Sequence, residues 1–103
     1  MPTPNTEAIV RAIASIPPGR VASYGMIAAR CGLPNAARTV VRVLSSMSGA
    51  RDLPWHRVVR KDGSIALGRG EGFELQKALL EAEGVEVSAS GMIDMLRFAE
   101  RSP

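Results

Sequence analysis

The residues best suited to chemistry in this chain are few, and they centre on the run Pro54-Trp55-His56-Arg57-Val58. His56 is the single histidine and Cys31 the single cysteine, so the two cannot form a zinc site. The indole of Trp55 is not a nucleophile, because it has neither a nucleophilic lone pair nor a suitable pKa. Cys31 lies four residues after Ile27 on the inner face of a predicted helix, which indicates a packing role.

Positive charge is concentrated in the middle of the chain. The net charge is +3 at pH 7, and the segment 20–60 contains a single acidic residue, Asp52, while most glutamates lie in the C-terminal third. A one-sided basic surface is what neutralisation of nucleic-acid phosphates requires. The arginines of this segment are Arg20, Arg30, Arg38, Arg42, Arg51, Arg57 and Arg60.

The length and composition predict one globular domain. The chain has 103 residues, of which 46% are hydrophobic and 22% charged. No apolar stretch approaches the roughly 18 residues that a membrane span needs, and the N-terminus lacks the pattern of a signal peptide. We therefore expect a cytoplasmic protein that does not associate with membranes, and a single cysteine agrees with a reducing compartment.

Apolar periodicity predicts three helices in the first half of the chain, over residues 5–15, from Tyr24 to Cys31 and from Ala36 to Met47. Pro17-Pro18-Gly19 ends the first helix because proline cannot continue the hydrogen-bond ladder, and Ser23 suits the N-cap of the second. A short helix, a turn with glycine and an arginine-bearing helix form the helix-turn-helix pattern.

The second half of the chain predicts a small β wing and a fourth helix. Val58-Val59 and residues 64–67 flank Lys61-Asp62-Gly63, and Asp-Gly favours a tight turn between two strands. An amphipathic helix is predicted from Phe73 to Glu83. The predicted fold class is therefore mainly α, a winged helix-turn-helix-like domain with a small two-stranded β wing. The residues predicted to face inward on the fourth helix are Leu75, Leu79 and Ala82.

Six short motifs follow one another in an order that resembles the DNA-binding domain of the O6-alkylguanine-DNA alkyltransferases, over about residues 8–87. Residues 54–59 resemble the Pro-Cys-His-Arg-Val-Val of that family, with Trp55 in place of the reactive cysteine. Such a replacement is typical of alkyltransferase-like proteins. The other motifs are Ile16-Pro17-Pro18-Gly19, Ser23-Tyr24, Gly32-Leu33-Pro34, Ala37-Arg38-Thr39-Val40, and Leu79-Leu80 with Glu83-Gly84.

The resemblance implies that the chain binds duplex DNA through the minor groove and rotates a damaged nucleotide out of the stack, at a cost of a few kcal/mol. Arg38 would fill the vacated space, because its planar guanidinium stacks between bases and still donates hydrogen bonds. Tyr24 would press on the backbone phosphate and contact the extruded base. Thr39 and Arg42 complete the predicted DNA-binding residues. Val41 and Arg42 stand where the family usually has glycines, and Arg42 could add a phosphate contact.

The resemblance also implies a pocket for the extruded O6-alkylguanine. The residues that we predict to form it are Tyr24, Pro54, Trp55, Val58 and Arg69. Trp55 would form part of the wall, where contact between an aromatic ring and a base contributes about 1–3 kcal/mol. Arg69 is predicted to probe the lesion from the loop that follows the wing.

Loss of the thiol implies that the chain is not an enzyme. In the active enzymes the histidine of the motif accepts the proton of the cysteine; without that cysteine, His56 is predicted to be a buried hydrogen-bonding residue and Arg57 to tie the motif to nearby carbonyls. We therefore expect a monomeric lesion sensor with no catalytic residue, metal or cofactor. It would bind double-stranded DNA containing O6-alkylguanine and pass the damage to nucleotide excision repair proteins.

Two other functions are compatible with the sequence. One is a methyltransferase with another acceptor, for which Cys31 is the only thiol, although it lies about two dozen residues before the motif. The other is a winged helix-turn-helix regulator that reads sequence in the major groove and would need Asn or Gln on the third helix. That helix offers Arg38, Thr39 and Arg42 among small or apolar neighbours, which favours insertion into the minor groove.

Overall fold

The computed structural model describes residues 4–33 and 35–100, so Pro34 of the predicted turn lies outside the described residues. Within these ranges the elements follow in the order α1 (Pro4–Ala14), β1 (Ala22–Ser23), α2 (Tyr24–Arg30), α3 (Ala37–Arg51), β2 (Val58–Val59), α4 (Phe73–Ala82) and α5 (Met95–Phe98). One turn of 3₁₀ helix, Trp55–Arg57, directly precedes β2. The predicted mainly α class with a small two-stranded sheet is confirmed. None of the helices in the described ranges is both long and apolar enough to cross a bilayer.

The first three helices share one hydrophobic core. Ile9 and Ile13 of α1, Ile27 of α2 and Val40 of α3 have no exposed surface. Burial of each such side chain contributes about 1.5–3 kcal/mol, so this cluster fixes the arrangement of α2 and α3. The predicted helix-turn-helix arrangement is thereby present, with α3 as its second helix.

The predicted start of α2 agrees with the structure, and the predicted end of α3 does not. Ser23 Oγ accepts a hydrogen bond from the Met26 N–H at 3.1 Å, so the predicted N-cap of α2 is confirmed. The third helix is longer than predicted, because it continues past Met47 to Arg51. A glycine inside a helix costs only about 1 kcal/mol relative to alanine, so Gly49 does not end α3.

The small sheet joins two distant parts of the chain. β1 and β2 run parallel, with Ala22 opposite Val58 and Ser23 opposite Val59. All four residues are buried. Because β1 leads directly into α2 and β2 follows the 3₁₀ turn, this pairing places the start of α2 next to the Trp55–Arg57 turn.

The predicted β wing is wrong in its strand pairing. The chain does turn where predicted: Asp62 Oδ1 accepts from the Ser64 N–H at 3.0 Å, and the Arg60 N–H donates to Ser64 O at 2.9 Å. Residues 64–67 do not continue as the partner of Val58-Val59, however. The Ile65 N–H donates instead to Gly91 O at 3.0 Å, because the segment after the turn pairs with the C-terminal part of the chain.

The predicted buried face of α4 is also wrong. The inward-facing residues are Phe73, Gln76 and Leu80, whereas Leu75 is 56% exposed and Ala82 is exposed too. The helix is rotated relative to the prediction because Gln76, a polar residue, finds hydrogen-bond partners inside the protein. Leu80 then packs in a second hydrophobic cluster that fixes α4 against the sheet. That cluster consists of Val21, Val59, Leu80, Val85 and Ile93.

Candidate nucleic-acid interface and its cavity

A cavity of about 410 Å³ opens between α2, α3 and the 3₁₀ turn. Its walls are mostly apolar, with a few polar groups, which is typical of sites for small organic groups such as bases. Its lining residues are Tyr24, Val41, Leu44, Ser45, Trp55, Val58, Ala66, Leu67 and Gln76.

Three of the five predicted pocket residues line this cavity: Tyr24, Trp55 and Val58. They come together because the pairing of β1 with β2 brings the start of α2 to the 3₁₀ turn. Pro54 lies at the start of that turn, where its carbonyl accepts from the Arg57 N–H at 3.0 Å, but it is not part of the cavity lining.

Arg69 is not at the cavity, and its predicted place in the pocket needs correction. Its guanidinium lies 4.6 Å from the ring centroid of Phe73 and donates to Ala89 O at 2.9 Å. Both contacts draw the side chain toward residues 89–91 and away from the cavity, because a cation is favoured over an aromatic face.

Trp55 is held at the cavity wall by its own backbone and by its neighbour. Its N–H donates to Leu53 O at 2.8 Å, and its ring meets the ring of His56 edge to face, with centroids 6.1 Å apart and an angle of 84° between planes. Edge-to-face packing is a favoured geometry for aromatic pairs. The indole is half-buried and presents its remaining surface to the cavity.

Tyr24 also lines the cavity, at the first position of α2. Burial raises the pKa of its phenol, and the positive charge of Arg60 acts weakly in the other direction. The phenol is therefore neutral at physiological pH and able to donate a hydrogen bond into the cavity.

The motif residues after Trp55 are anchored by one carboxylate, Glu83, at the end of α4. Arg57 binds it in a bidentate manner, with Nε 3.0 Å from Oε1 and Nη2 2.6 Å from Oε2. His56 Nε2 lies 2.9 Å from Glu83 Oε2. Arg57 also donates from Nη1 to Ile16 O at 2.9 Å, so its predicted role of tying the motif to a carbonyl is confirmed. The mostly buried, hydrogen-bonded state predicted for His56 is confirmed as well.

These bonds shift the ionisation of Glu83. The hydrogen bonds from Arg57 lower the pKa of this carboxyl from its ordinary value of 4.5 to about 2, with further lowering by His56 and the Gly19 N–H against the opposing effect of burial. Glu83 is thus negatively charged across the physiological range. Trp55, beside His56, has no thiol that a neighbouring base could deprotonate.

The predicted DNA-binding arginines lie on the outer side of α3. Arg38, in the first turn of the helix, and Arg42 are exposed, and Thr39 between them is half-buried. No carboxylate within residues 4–33 and 35–100 pairs with either guanidinium. Val41, on the same helix, is 44% exposed and forms part of the cavity wall, so α3 provides both exposed cations and one side of the cavity.

Sequence reasoning missed several residues of the site. Val41, Leu44 and Ser45 share a helical face at spacings of three and four, so their presence at one wall could have been inferred once α3 was assigned. Gln76 carried no such signal, because a glutamine on an amphipathic helix is usually placed on the exposed face. Among the described residues, no group of histidine, cysteine and carboxylates is arranged to hold a metal ion.

The fold and the site together define a helix-turn-helix domain with an apolar cavity beside an arginine-bearing helix. The chain matches the family described as "6-O-methylguanine DNA methyltransferase, DNA binding domain" over residues 4–85, and it belongs to that family.

Two relatives show how the chain compares with full-length members. It is 46% identical over 86 residues to the "DNA base-flipping protein" of Escherichia coli (strain K12). The aligned residues make up 84% of this chain and 66% of that protein. It is 39% identical over 79 residues to "Alkyltransferase-like protein 1" of Schizosaccharomyces pombe, which covers 74% of this chain and 71% of that protein. The chain therefore spans just under two thirds of the length of the E. coli relative.

Two solved structures are similar to this fold. S. pombe Atl1 in complex with damaged DNA containing O6-carboxymethylguanine superposes with a TM-score of 0.84 at 30% identity, covering 95% of both chains. Mycobacterium tuberculosis OGT in complex with DNA superposes with a TM-score of 0.69 at 34% identity, covering 80% of this chain and 49% of that one. The likeness to the first structure extends over almost the whole of this chain.

Proposed function

We propose that this chain recognises O6-alkylguanine in duplex DNA and does not repair it. The observation that carries the proposal is Trp55 in the cavity wall. Trp55 stands where the alkyltransferase motif that this chain resembles has its reactive cysteine, and an indole cannot accept an alkyl group. The names of two relatives, a DNA base-flipping protein and an alkyltransferase-like protein, support the same conclusion.

Extrusion of the base is assigned to α3. The exposed Arg38 enters the stack from the minor groove and fills the space that the rotated nucleotide leaves, while Arg42 and Thr39 contact the backbone. Rotation costs a few kcal/mol. Stacking of the extruded base on Trp55 returns about 1–3 kcal/mol of this cost.

The cavity then holds the extruded base by its faces and its alkyl group. Trp55 and Tyr24 present aromatic surfaces, and Val41, Leu44 and Leu67 present apolar ones. Each methylene of the alkyl group that is buried against such walls contributes about 0.8 kcal/mol. This term is absent for unmodified guanine, so it favours the damaged base.

Binding titrations test the proposal. We expect the chain to bind a duplex with one O6-methylguanine at least about tenfold more tightly than the same duplex with guanine, which corresponds to ~1.4 kcal/mol. Arg38→Ala should abolish most of this preference. Arg11→Ala is the matched control, because Arg11 is an exposed arginine of α1 outside the cavity lining, and its removal costs the same charge. Equal affinity for the two duplexes, or equal effects of the two substitutions, would contradict the proposal.

The alternative of transfer to another acceptor makes a separate prediction. Cys31 does not line the cavity, and burial raises the pKa of its thiol while the charge of Arg30 acts in the opposite direction. We expect the protein mass to stay unchanged after long incubation with the methylated duplex. Addition of one methyl group, lost in Cys31→Ser, would establish transfer instead.

Delivery of the lesion to nucleotide excision repair is part of the proposal, and so is a cytoplasmic location. A protein that holds damage without removing it is useful only when other proteins complete the repair. Excision of an O6-methylguanine duplex by purified excision nuclease proteins should rise when this chain is added, and no change in excision would argue against the handover.

A further inference from the structure

Gln76 is the one polar side chain of α4 that lines the cavity, and it is 2% exposed. Its Nε2 donates to His56 O at 3.0 Å and to Val58 O at 3.1 Å. These bonds use both N–H groups of the amide and fix its orientation, because the opposite orientation would place the amide oxygen against two carbonyl oxygens.

The amide oxygen of Gln76 therefore points away from these two carbonyls. No donor of the described side chains, which are those of residues 5–33, 35–46 and 52–100, bonds to it. Gln76 Oε1 is not among the fully buried, unpaired oxygen and nitrogen atoms of the described side chains, so it keeps accessible surface, and Gln76 lines the cavity. A fixed hydrogen-bond acceptor thus lies in an otherwise mostly apolar wall.

We infer that Gln76 Oε1 selects the extruded base by accepting a hydrogen bond from its exocyclic 2-amino group; the inference rests on the proposed function. Alkylation at O6 removes the N1 proton of guanine, so the 2-amino group is the only N–H donor that the modified base retains. O6-methylhypoxanthine differs only in lacking this group, and O4-methylthymine has no N–H donor. Both would leave the acceptor buried without a partner.

A buried site that hydrogen-bonds its ligand discriminates against an analogue that lacks the donor, since the unpaired protein group keeps its desolvation cost. We therefore expect Gln76 to favour O6-methylguanine over O6-methylhypoxanthine by about fivefold to tenfold in the dissociation constant, the range of one neutral hydrogen bond. O4-methylthymine should bind no better than O6-methylhypoxanthine.

The first test uses the unaltered protein and duplexes that differ in the modified base alone. Fluorescence anisotropy gives the dissociation constants for O6-methylguanine, O6-methylhypoxanthine and O4-methylthymine, with guanine as the reference. If O6-methylguanine binds more tightly than guanine but no more tightly than O6-methylhypoxanthine, the role of Gln76 is refuted while the proposed function stands. If O6-methylguanine and guanine bind equally, the proposed function itself fails.

Two substitutions separate selection from a structural role of Gln76. Gln76→Lys keeps donors for His56 O and Val58 O but has no acceptor, and Gln76→Met fills the space without either. In both variants the dissociation constants for O6-methylguanine and O6-methylhypoxanthine should become about equal, whatever the effect on overall affinity. Retention of the preference in Gln76→Lys would overturn the inference. If Gln76→Met loses the preference, the donor side of Gln76 is what matters; if Gln76→Met retains it too, neither side matters.

Discussion

Replacement of Glu83 by glutamine tests whether its carboxylate holds the Trp55 motif in place. The carboxyl is 17% exposed and binds Arg57 and His56, and its pKa is lowered from 4.5 to about 2. At ~1.4 kcal/mol for each tenfold change in the ionisation constant, this lowering corresponds to about 3 kcal/mol of stability at pH 7. Glu83→Gln keeps the shape of the side chain and removes its charge, so we expect it to lose a similar amount.

The stability that Glu83 contributes should fall as the pH falls. Because the pKa in the folded state is the lower one, the stabilisation is complete above 4.5 and is lost as the pH falls from 4.5 toward 2. The difference in free energy of unfolding between the wild type and Glu83→Gln should therefore shrink from about 3 kcal/mol at pH 7 to about 1.5 kcal/mol at pH 3.

Urea unfolding at a series of pH values measures this difference, with Glu81→Gln as the matched control. Glu81 lies on the same helix and pairs with Lys77 at 2.9 Å on the surface, so its substitution should cost less than about 0.5 kcal/mol. A loss for Glu83→Gln below about 1 kcal/mol at pH 7, or a loss that does not change with pH, would refute the reasoning.

Substitutions at three further positions test the cavity, the core and the charged helix. Trp55→Ala should weaken binding to the O6-methylguanine duplex by about 1–3 kcal/mol in anisotropy titrations, while Trp55→Phe, which keeps an aromatic ring, should weaken it less. Ile27→Ala should lower the free energy of unfolding by about 2–5 kcal/mol in urea, because Ile27 is fully buried. Arg42→Ala should reduce the slope of log affinity against log salt by about 0.9, the value for one phosphate contact.

Each of these three predictions has a result that would contradict it or a control that it must pass. An equal loss of affinity for guanine and O6-methylguanine duplexes in Trp55→Ala would place Trp55 outside the base site. For the core, Leu75→Ala is the control, since a 56% exposed leucine should change stability by less than about 0.5 kcal/mol. A salt slope that is unchanged in Arg42→Ala would show that this guanidinium does not contact a phosphate.

Features with local causes could be predicted from the sequence. The N-cap at Ser23 and the start of α2 follow from residues within one turn of each other. The pairing of β1 with β2 could not be predicted, because Ala22 and Val58 are distant in sequence and each strand is only two residues long. Periodicity carries no signal for such a short parallel pair, so the nearby Asp-Gly turn suggested a hairpin instead.

Some residues of the site could be predicted from the sequence and others could not. Tyr24, Trp55 and Val58 were placed by motif resemblance, and all three line the cavity. The prediction for Arg69 is wrong, and none was possible for Gln76, because their surroundings come from other segments. Two backbone carbonyls bind the amide of Gln76, and Phe73 with the Ala89 carbonyl holds Arg69. Polarity alone does not reveal such partners.

The most direct test of the central claim is the fluorescence of Trp55, which is the single tryptophan of the chain. A base that stacks on the indole should quench its emission, so titration with an O6-methylguanine duplex should give saturable quenching. The matched guanine duplex, added until anisotropy shows the same fraction of protein bound, should leave the emission nearly unchanged. Equal quenching by both duplexes, or none by either, would contradict the claim that the damaged base enters the cavity beside Trp55.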